Sequence, residues 1–334
     1  MESANIVDVA KAAGVSLATV SRVVRNQDCV RPATRDKVLR AIRDLNYQPN
    51  ALGRQLRTQE TKTVIVIVPD IANTFFHEIL LGIETEAETN GYQVLIADMH
   101  NEPSIEKHYF HAIQQRQADG VISLSANIAQ RIIKEMAEGY PVVVAVQYLE
   151  GNTVPNISID NVAAARTITE HLIRLGHRRI AHLSGSPDSA LYRDRFNGYL
   201  AALQSHGIPV DLKLVRYSPS SIMGGYEQME SLLALDEPVT AVFAAGDVMA
   251  IGAMKALKKA GRRVPEDCAM AGFDDIELSA IWEPSLTTIR QPKFQMGQQA
   301  FIKLLKLMRK EPLLFVQDIL PYELVIRESC GYQL

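Results

Sequence analysis

Residues 64–68 read Val-Ile-Val-Ile-Val, an unbroken β-branched run with no polar face. A strand with one wet side alternates; a continuous apolar run belongs to a strand covered on both sides, as in a parallel sheet between helices. Comparable runs return at 92–98, 120–124, 142–146, 180–183, 241–245 and 269–273. Stretches of helical periodicity fall between or after them, at 76–90, 162–175, 195–206, 225–235, 248–260 and 293–309. Alternation of this kind implies parallel sheets joined by right-handed crossovers. Residues 62–334 are too many for one such sheet of modest size, so the expected core is α/β, with two doubly wound parallel-sheet lobes and a ligand cleft between them.

Before residue 62 the rhythm is all-helical. Residues 1–61 carry ten Lys/Arg against six Asp/Glu, a net +4, so the rest of the chain carries −7 of the overall −3. A basic head on an acidic body suits a nucleic-acid-binding module joined to something that is not one. The stretch DVAKAAGVSLATVSR (8–22) has the layout of a helix-turn-helix. Asn5 can cap a first helix. Small Ala10 permits close crossing, Gly14 makes a left-handed turn, and Val15 plugs the core beneath it. Ser16 caps a second helix over 17–24, and a third spans about 31–45 with Pro32 in its first turn. The expected division is a DNA-binding domain at 1–49, a hinge and linker at 50–61, and a core at 62–334. Within the core, lobe one takes about 62–160 plus 292–321 and lobe two about 161–291 plus 322–330.

The head resembles that of the lactose/galactose repressor family of transcription regulators, and the similarity covers essentially the whole chain. The resemblance implies that Leu17 and Ala18 make apolar contacts with base edges and that Arg22 enters the major groove, where Arg commonly pairs with guanine. Ser16, Thr19, Ser21 and Asn26 would hold phosphates. The segment Tyr47-Gln48-Pro49-Asn50-Ala51-Leu52-Gly53-Arg54-Gln55-Leu56 resembles the family's hinge, which becomes a short helix on DNA. Asn50, Gly53 and Arg54 lie along it, and Leu56 would wedge into the minor groove. Gly53 departs from the usual Ala, and glycine costs a helix interior about 1 kcal/mol. A looser hinge is expected, with weaker or partner-assisted operator binding.

The body resembles the family core, which shares its fold with periplasmic sugar-binding proteins. Matching landmarks include Phe75-Phe76, Asp160-Asn161, Gly246-Asp247, Gly272-Phe273-Asp274-Asp275 and the run from Thr287 to Pro292. The resemblance implies effector contacts at Phe75, Asp98, Asp160, Arg193, Arg195, Tyr217, Asp247, Asp274 and Gln291. Carboxylates accept from ligand hydroxyls, Arg donates, and an aromatic ring stacks. An Asp after a strand is also a common helix cap, which applies to Asp70 and Asp247. Gly246 stands where Asn or Ser is more usual, which puts the family's sugar contact there in doubt. The stretches at 64–71, 75–78, 82–84 and 91–98, with Gly53 itself, resemble a branch of the family that answers to nucleosides. A nucleoside effector is therefore expected, with a sugar or purine as the alternative.

Other classes find less support. No GxSxG, Walker A, GxGxxG or HExxH pattern is present, and no enzyme activity, metal or cofactor is expected. His108 and His111, three apart, read as a solvated face. The three cysteines, Cys29, Cys268 and Cys330, form no CxxC pair. The start lacks the basic and apolar regions of a secretory signal, and no stretch is long and apolar enough to span a membrane. A cytoplasmic, nucleoid-associated protein is expected rather than a periplasmic solute receptor, the second class that the body alone would fit. The expected assembly is a homodimer, because the ending at Leu334 carries no leucine-heptad tail. Whether a protein co-regulator takes part is left open.

Overall fold

The computed structural model describes residues 4–24, 29–47, 60–99, 115, 117–124, 130–148, 151 and 154–331. Two compact units are present, Met1–Thr61 and Lys62–Leu334.

In the first unit, α1 (Ile6–Ala13), α2 (Leu17–Val24) and α3 (Pro32–Asp44) enclose a small core of Val9, Ala10, Val20, Val23, Val38 and Ala41. The local chemistry explains each boundary. Asn5 Oδ1 accepts from the backbone N–H of Val7 at 2.8 Å and Asp8 at 3.3 Å, and Asp8 accepts in return from the Asn5 N–H at 3.0 Å. This reciprocal cap satisfies donors the helix itself leaves unpaired. Gly14 closes α1 at φ 63°, and the Val15 N–H reaches back to the Ala10 carbonyl at 3.0 Å. Ser16 Oγ accepts from the Thr19 N–H at 3.2 Å and so caps α2.

The second unit holds two parallel sheets. Strands β1 (Thr63–Val68), β2 (Gln93–Asp98), β3 (Gly120–Ser123), β4 (Val142–Ala145), β5 (Asn156–Ile159) and β11 (Gln317–Leu320) form the first, in the order β11-β5-β4-β3-β1-β2. Strands β6 (Ile180–Ser184), β7 (Val215–Tyr217), β8 (Ala241–Ala244) and β9 (Ala269–Ala271) form the second, in the order β7-β6-β8-β9. Strand order reverses between β1 and β3 and again between β6 and β8, so each lobe has a switch point where a crevice opens at the carboxyl ends of its strands. Helices α4 (Phe75–Thr89), α5 (Gln130–Gly139) and α11 (Lys293–Met308) belong to lobe one. Helices α6 (Asn161–Arg174), α7 (Ala190–Ser205), α8 (Ile222–Leu233), α9 (Asp247–Lys259) and α10 (Glu277–Ile281) belong to lobe two. The chain passes between lobes after β5, between β10 (Thr288–Arg290) and α11, and between β11 and β12 (Glu323–Val325). Strands β10 and β12 pair antiparallel beside the second sheet.

The fold class follows the sequence pattern. The pattern does not reveal β5, β7, β10, β11, β12, α5 and α10, which are short or mixed in polarity. Helix α7 starts at Ala190 rather than near 195, so Tyr192-Arg193-Asp194-Arg195 is helical, with Arg195 turned inward. Asn26, Asn50, Gly53, Arg54, Leu56, His108 and His111 lie outside the described residues.

Candidate effector cavity and DNA-facing helix

Helix α2 has two faces. Val20 and Val23 are buried, whereas Leu17, Ala18 and Arg22 are exposed and Thr19 and Ser21 half-buried, with exposed Ser16 at the amino end. Leu17 keeps 47% of its surface in contact with solvent. The exposed amino-terminal end of a capped helix, with an exposed Arg five residues after Leu17, suits a recognition helix, whose first residues meet base edges.

In the second unit, both switch points open onto a cavity of about 480 Å3. Lobe one contributes Pro69, Asp70 and Asn73 after β1, the first residues of α4, Phe75 and Phe76, and Val146 with Gln147 after β4. Lobe two contributes Ser186 after β6, Leu191, Tyr192 and Arg195 on α7, the serines at 218, 220 and 221 with Pro219 after β7, Ala245 after β8, and Asp274 after β9. The lobe-one wall is largely apolar and aromatic, with Phe75 and Phe76 edge-to-face at 5.1 Å. The lobe-two wall is rich in hydroxyls.

Arg195 organises the second wall. It is 2% exposed, donates from Nε to Asn161 Oδ1 at 3.0 Å and from Nη1 to the Ala245 carbonyl, and approaches Asp274 Oδ1 at 3.4 Å through Nη2. Its guanidinium lies 3.7 Å over the Phe273 ring. Burial lowers the pKa of Arg195, with Asp274 acting in the opposite direction. Burial likewise raises Asp274, against the pull of Arg195 and Lys293. Asp274 sits at φ 116°, a region that disfavours side chains, and Lys293 Nζ holds the carbonyls of Asp274 and Asp275 at 2.9 and 2.6 Å. The same Nζ pairs with Glu78 of α4 at 3.1 Å, tying the strained loop to lobe one. Tyr192 packs flat on Gly185, where any Cβ would strike its ring, and burial raises the pKa of its hydroxyl. At Gly246 a Cβ would stand 3.5 Å from Ser220 Oγ and 3.6 Å from Asp274 Oδ2, so a side chain at 246 would enter the cavity.

Of the expected effector residues, Phe75, Arg195 and Asp274 line this cavity. The other six do not line it. Asp247 is fully buried behind the wall, accepting from Thr288 Oγ1 at 2.6 Å, Ser279 Oγ at 2.7 Å and the Ile276 N–H at 3.0 Å. It turns inward because Gly272 leaves room for it; a Cβ there would collide with its carboxylate. Gln291 is 2% exposed and donates to Asp274 Oδ1 at 2.7 Å, supporting the carboxylate from behind. Asp160 caps α6 by accepting from the Ala163 N–H at 2.9 Å. Asp98 accepts from the Ile71 N–H, Arg193 donates to the Asp188 carbonyl, and Tyr217 stands 46% exposed; none of them lines the cavity. Asp275 is likewise structural, paired with Arg290 at 2.6 Å and Arg327 at 2.7 Å. Sequence reading missed Gln147, Tyr192 and the serines; their one signal is that most of them follow strand ends.

A helix-turn-helix unit joined to a two-lobed α/β unit with a cavity at its switch points defines a ligand-binding regulator of the DNA-reading class. The family described as bacterial regulatory proteins, lacI family, matches residues 5–50, and that described as periplasmic binding proteins and sugar binding domain of LacI family matches residues 61–313. The chain belongs to the LacI family of transcription regulators. It is 38% identical over 328 residues to the HTH-type transcriptional repressor CytR of Escherichia coli K12, covering 98% of this chain and 96% of that one. It is 36% identical to the catabolite control protein A of Priestia megaterium, over 97% of this chain and 98% of that protein. A solved lac repressor dimer bound to operator and the anti-inducer ONPF superposes with a TM-score of 0.88 at 30% identity, over 98% of this chain and 99% of that one.

Proposed function

We propose that this protein is a transcriptional repressor that binds a palindromic operator as a homodimer and whose grip on DNA is set by a nucleoside bound between the core lobes. The observation that carries the effector reading is the two-sided cavity. Phe75, Phe76 and Tyr192 offer flat apolar surface for a base, and the serines with Asp274 offer partners for ribose hydroxyls. Likeness to CytR supports the same reading. The hydroxyl-rich wall taken alone favours a sugar, the second reading. For DNA, Leu17, Ala18 and Arg22 are the base-edge contacts, and Ser16, Thr19, Ser21 and Asn26 the phosphate contacts. Asn50, Gly53, Arg54 and Leu56 form the hinge contacts.

Retention on immobilised double-stranded DNA tests the DNA half. The full chain is expected to elute with rising salt, as counterion release requires, and the chain lacking residues 1–60 to flow through. Equal retention of both overturns the assignment. The hinge gives a sharper result. Alanine at Gly53 removes about 1 kcal/mol of helix cost per hinge, so Gly53→Ala is expected to tighten operator binding roughly fivefold or more in fluorescence anisotropy at fixed salt. Equal affinities contradict a hinge that folds on DNA.

A further inference from the structure

The turn after β4 carries three features that the effector reading leaves unused. Val146 has φ 76°, where a β-branched side chain is crowded by its own backbone. Gln147 is 7% exposed and lines the cavity, and its amide oxygen Oε1 has no hydrogen-bond partner. The Tyr148 hydroxyl donates to Asp194 Oδ1 of α7 at 3.1 Å, joining lobe one to lobe two. Unpaired buried acceptors are few in folded proteins, and strained backbone persists only where its surroundings hold it. Here the strain and the bond across the cleft hold a side chain with a buried, unpaired acceptor in the wall of the cavity.

The opposite wall is also presented as an acceptor. Asp274 Oδ1 is occupied by Gln291 and Arg195, while Oδ2 faces the space beside Gly246. Arg195 is the cation among the described lining residues, and its guanidinium is engaged by Asn161, Ala245 and Asp274. The cavity therefore suits an uncharged ligand that donates hydrogen bonds toward both lobes. We infer that Gln147 is a specificity-determining contact whose amide oxygen accepts an N–H or O–H of the nucleoside, an assignment that rests on the nucleoside reading given above. A donor on the ligand satisfies a buried group that, among the described residues, is left without a partner on that wall.

Titration calorimetry of the full chain with cytidine, adenosine and uridine tests this, with thermal melts of the ligand-free proteins alongside. Wild type is expected to bind at least one of the three. Gln147→Met keeps the length of the side chain and removes the acceptor, so affinity for that nucleoside falls about tenfold or more. The ligand-free melting temperature stays level or rises, because an unsatisfied buried group has been removed. Gln147→Glu keeps an acceptor at the same reach and retains affinity within about threefold of wild type. If the Met variant binds as wild type does, the contact is refuted while the nucleoside reading stands. Equal losses in Met and Glu variants, or a marked fall in melting temperature for Met, refute the acceptor role in favour of a structural one. Failure of wild type to bind any of the three nucleosides overturns the nucleoside reading and this inference with it.

Discussion

Replacing Arg195 with alanine is expected to abolish measurable nucleoside binding and to lower the melting temperature of the core by about 10 °C. Arg195 is buried, and its partners are an amide, a carbonyl, a carboxylate and an aromatic face. Removing one side of a buried ion pair leaves the other charge uncompensated, at about 3–5 kcal/mol, and each kcal/mol moves a domain of this size by roughly 2–4 °C. Asp274, already at a disfavoured φ, would lose the stronger of the two cations that oppose its burial, leaving Lys293. Arg195→Lys separates the two roles. Lysine keeps the charge and loses the planar fork and the stacking over Phe273, so the protein folds with a smaller thermal loss while nucleoside affinity falls at least about tenfold. Unchanged ligand affinity in either variant, read by calorimetry, removes Arg195 from the effector site.

The second large effect belongs to Asp247. Asp247→Ala strands the Thr288 hydroxyl of β10, the Ser279 hydroxyl of α10 and the Ile276 N–H, on the segments that follow Asp274. Unsatisfied buried groups cost about 1–3 kcal/mol each, so a fall in melting temperature of about 10 °C is expected. Asp247→Asn, which keeps an acceptor, is expected to lose much less. The pair also carries a pH signature. Burial, with the nearby Asp274 charge adding to it, pushes the Asp247 carboxyl up to about 7. Its folded pKa then stands above its unfolded value of about 4, and the folded protein holds the extra proton between those limits. The Asp247 contribution to stability is fully present below about pH 4 and is lost as pH rises to about 7. Buried His182, lowered to about 4 by desolvation, acts oppositely, gaining stability as pH rises toward its unfolded value near 6.5. The difference between wild-type and Asp247→Asn melting curves across pH 4–8 isolates the carboxylate. It should narrow steadily in favour of the Asn variant as pH rises; a pH-independent difference refutes the raised pKa.

Asp247 also marks where sequence legibility ends. An Asp following a strand reads the same whether it points into a cleft or backward into the core. What decides is Gly272, twenty-five positions later, whose missing Cβ admits the carboxylate. The place of Gln291 behind Asp274 is hidden from the sequence for a related reason, since it depends on packing between β10 and the loop after β9. By contrast the β-branched run of β1, buried along its whole length, and the Asn5, Gly14 and Ser16 signals of the head depend on local chemistry and were readable residue by residue. Strands β10 and β12 are three residues each and exist through a pairing of Thr288 with Val325, too distant in sequence for periodicity to reveal. Gln147 carried no motif at all; only its burial and its unpaired oxygen distinguish it.

The central claim is that a ligand in the core cavity sets the grip of the head on DNA. Its most direct test is fluorescence anisotropy of the full chain on an operator fragment selected from random-sequence duplexes, titrated with nucleosides and sugars at fixed salt. The account predicts that a nucleoside changes operator affinity by tenfold or more, that operator changes nucleoside affinity by the same factor, and that Arg195→Lys still binds DNA yet responds weakly. Operator binding that no nucleoside or sugar alters, or an unaltered response in Arg195→Lys, would contradict it.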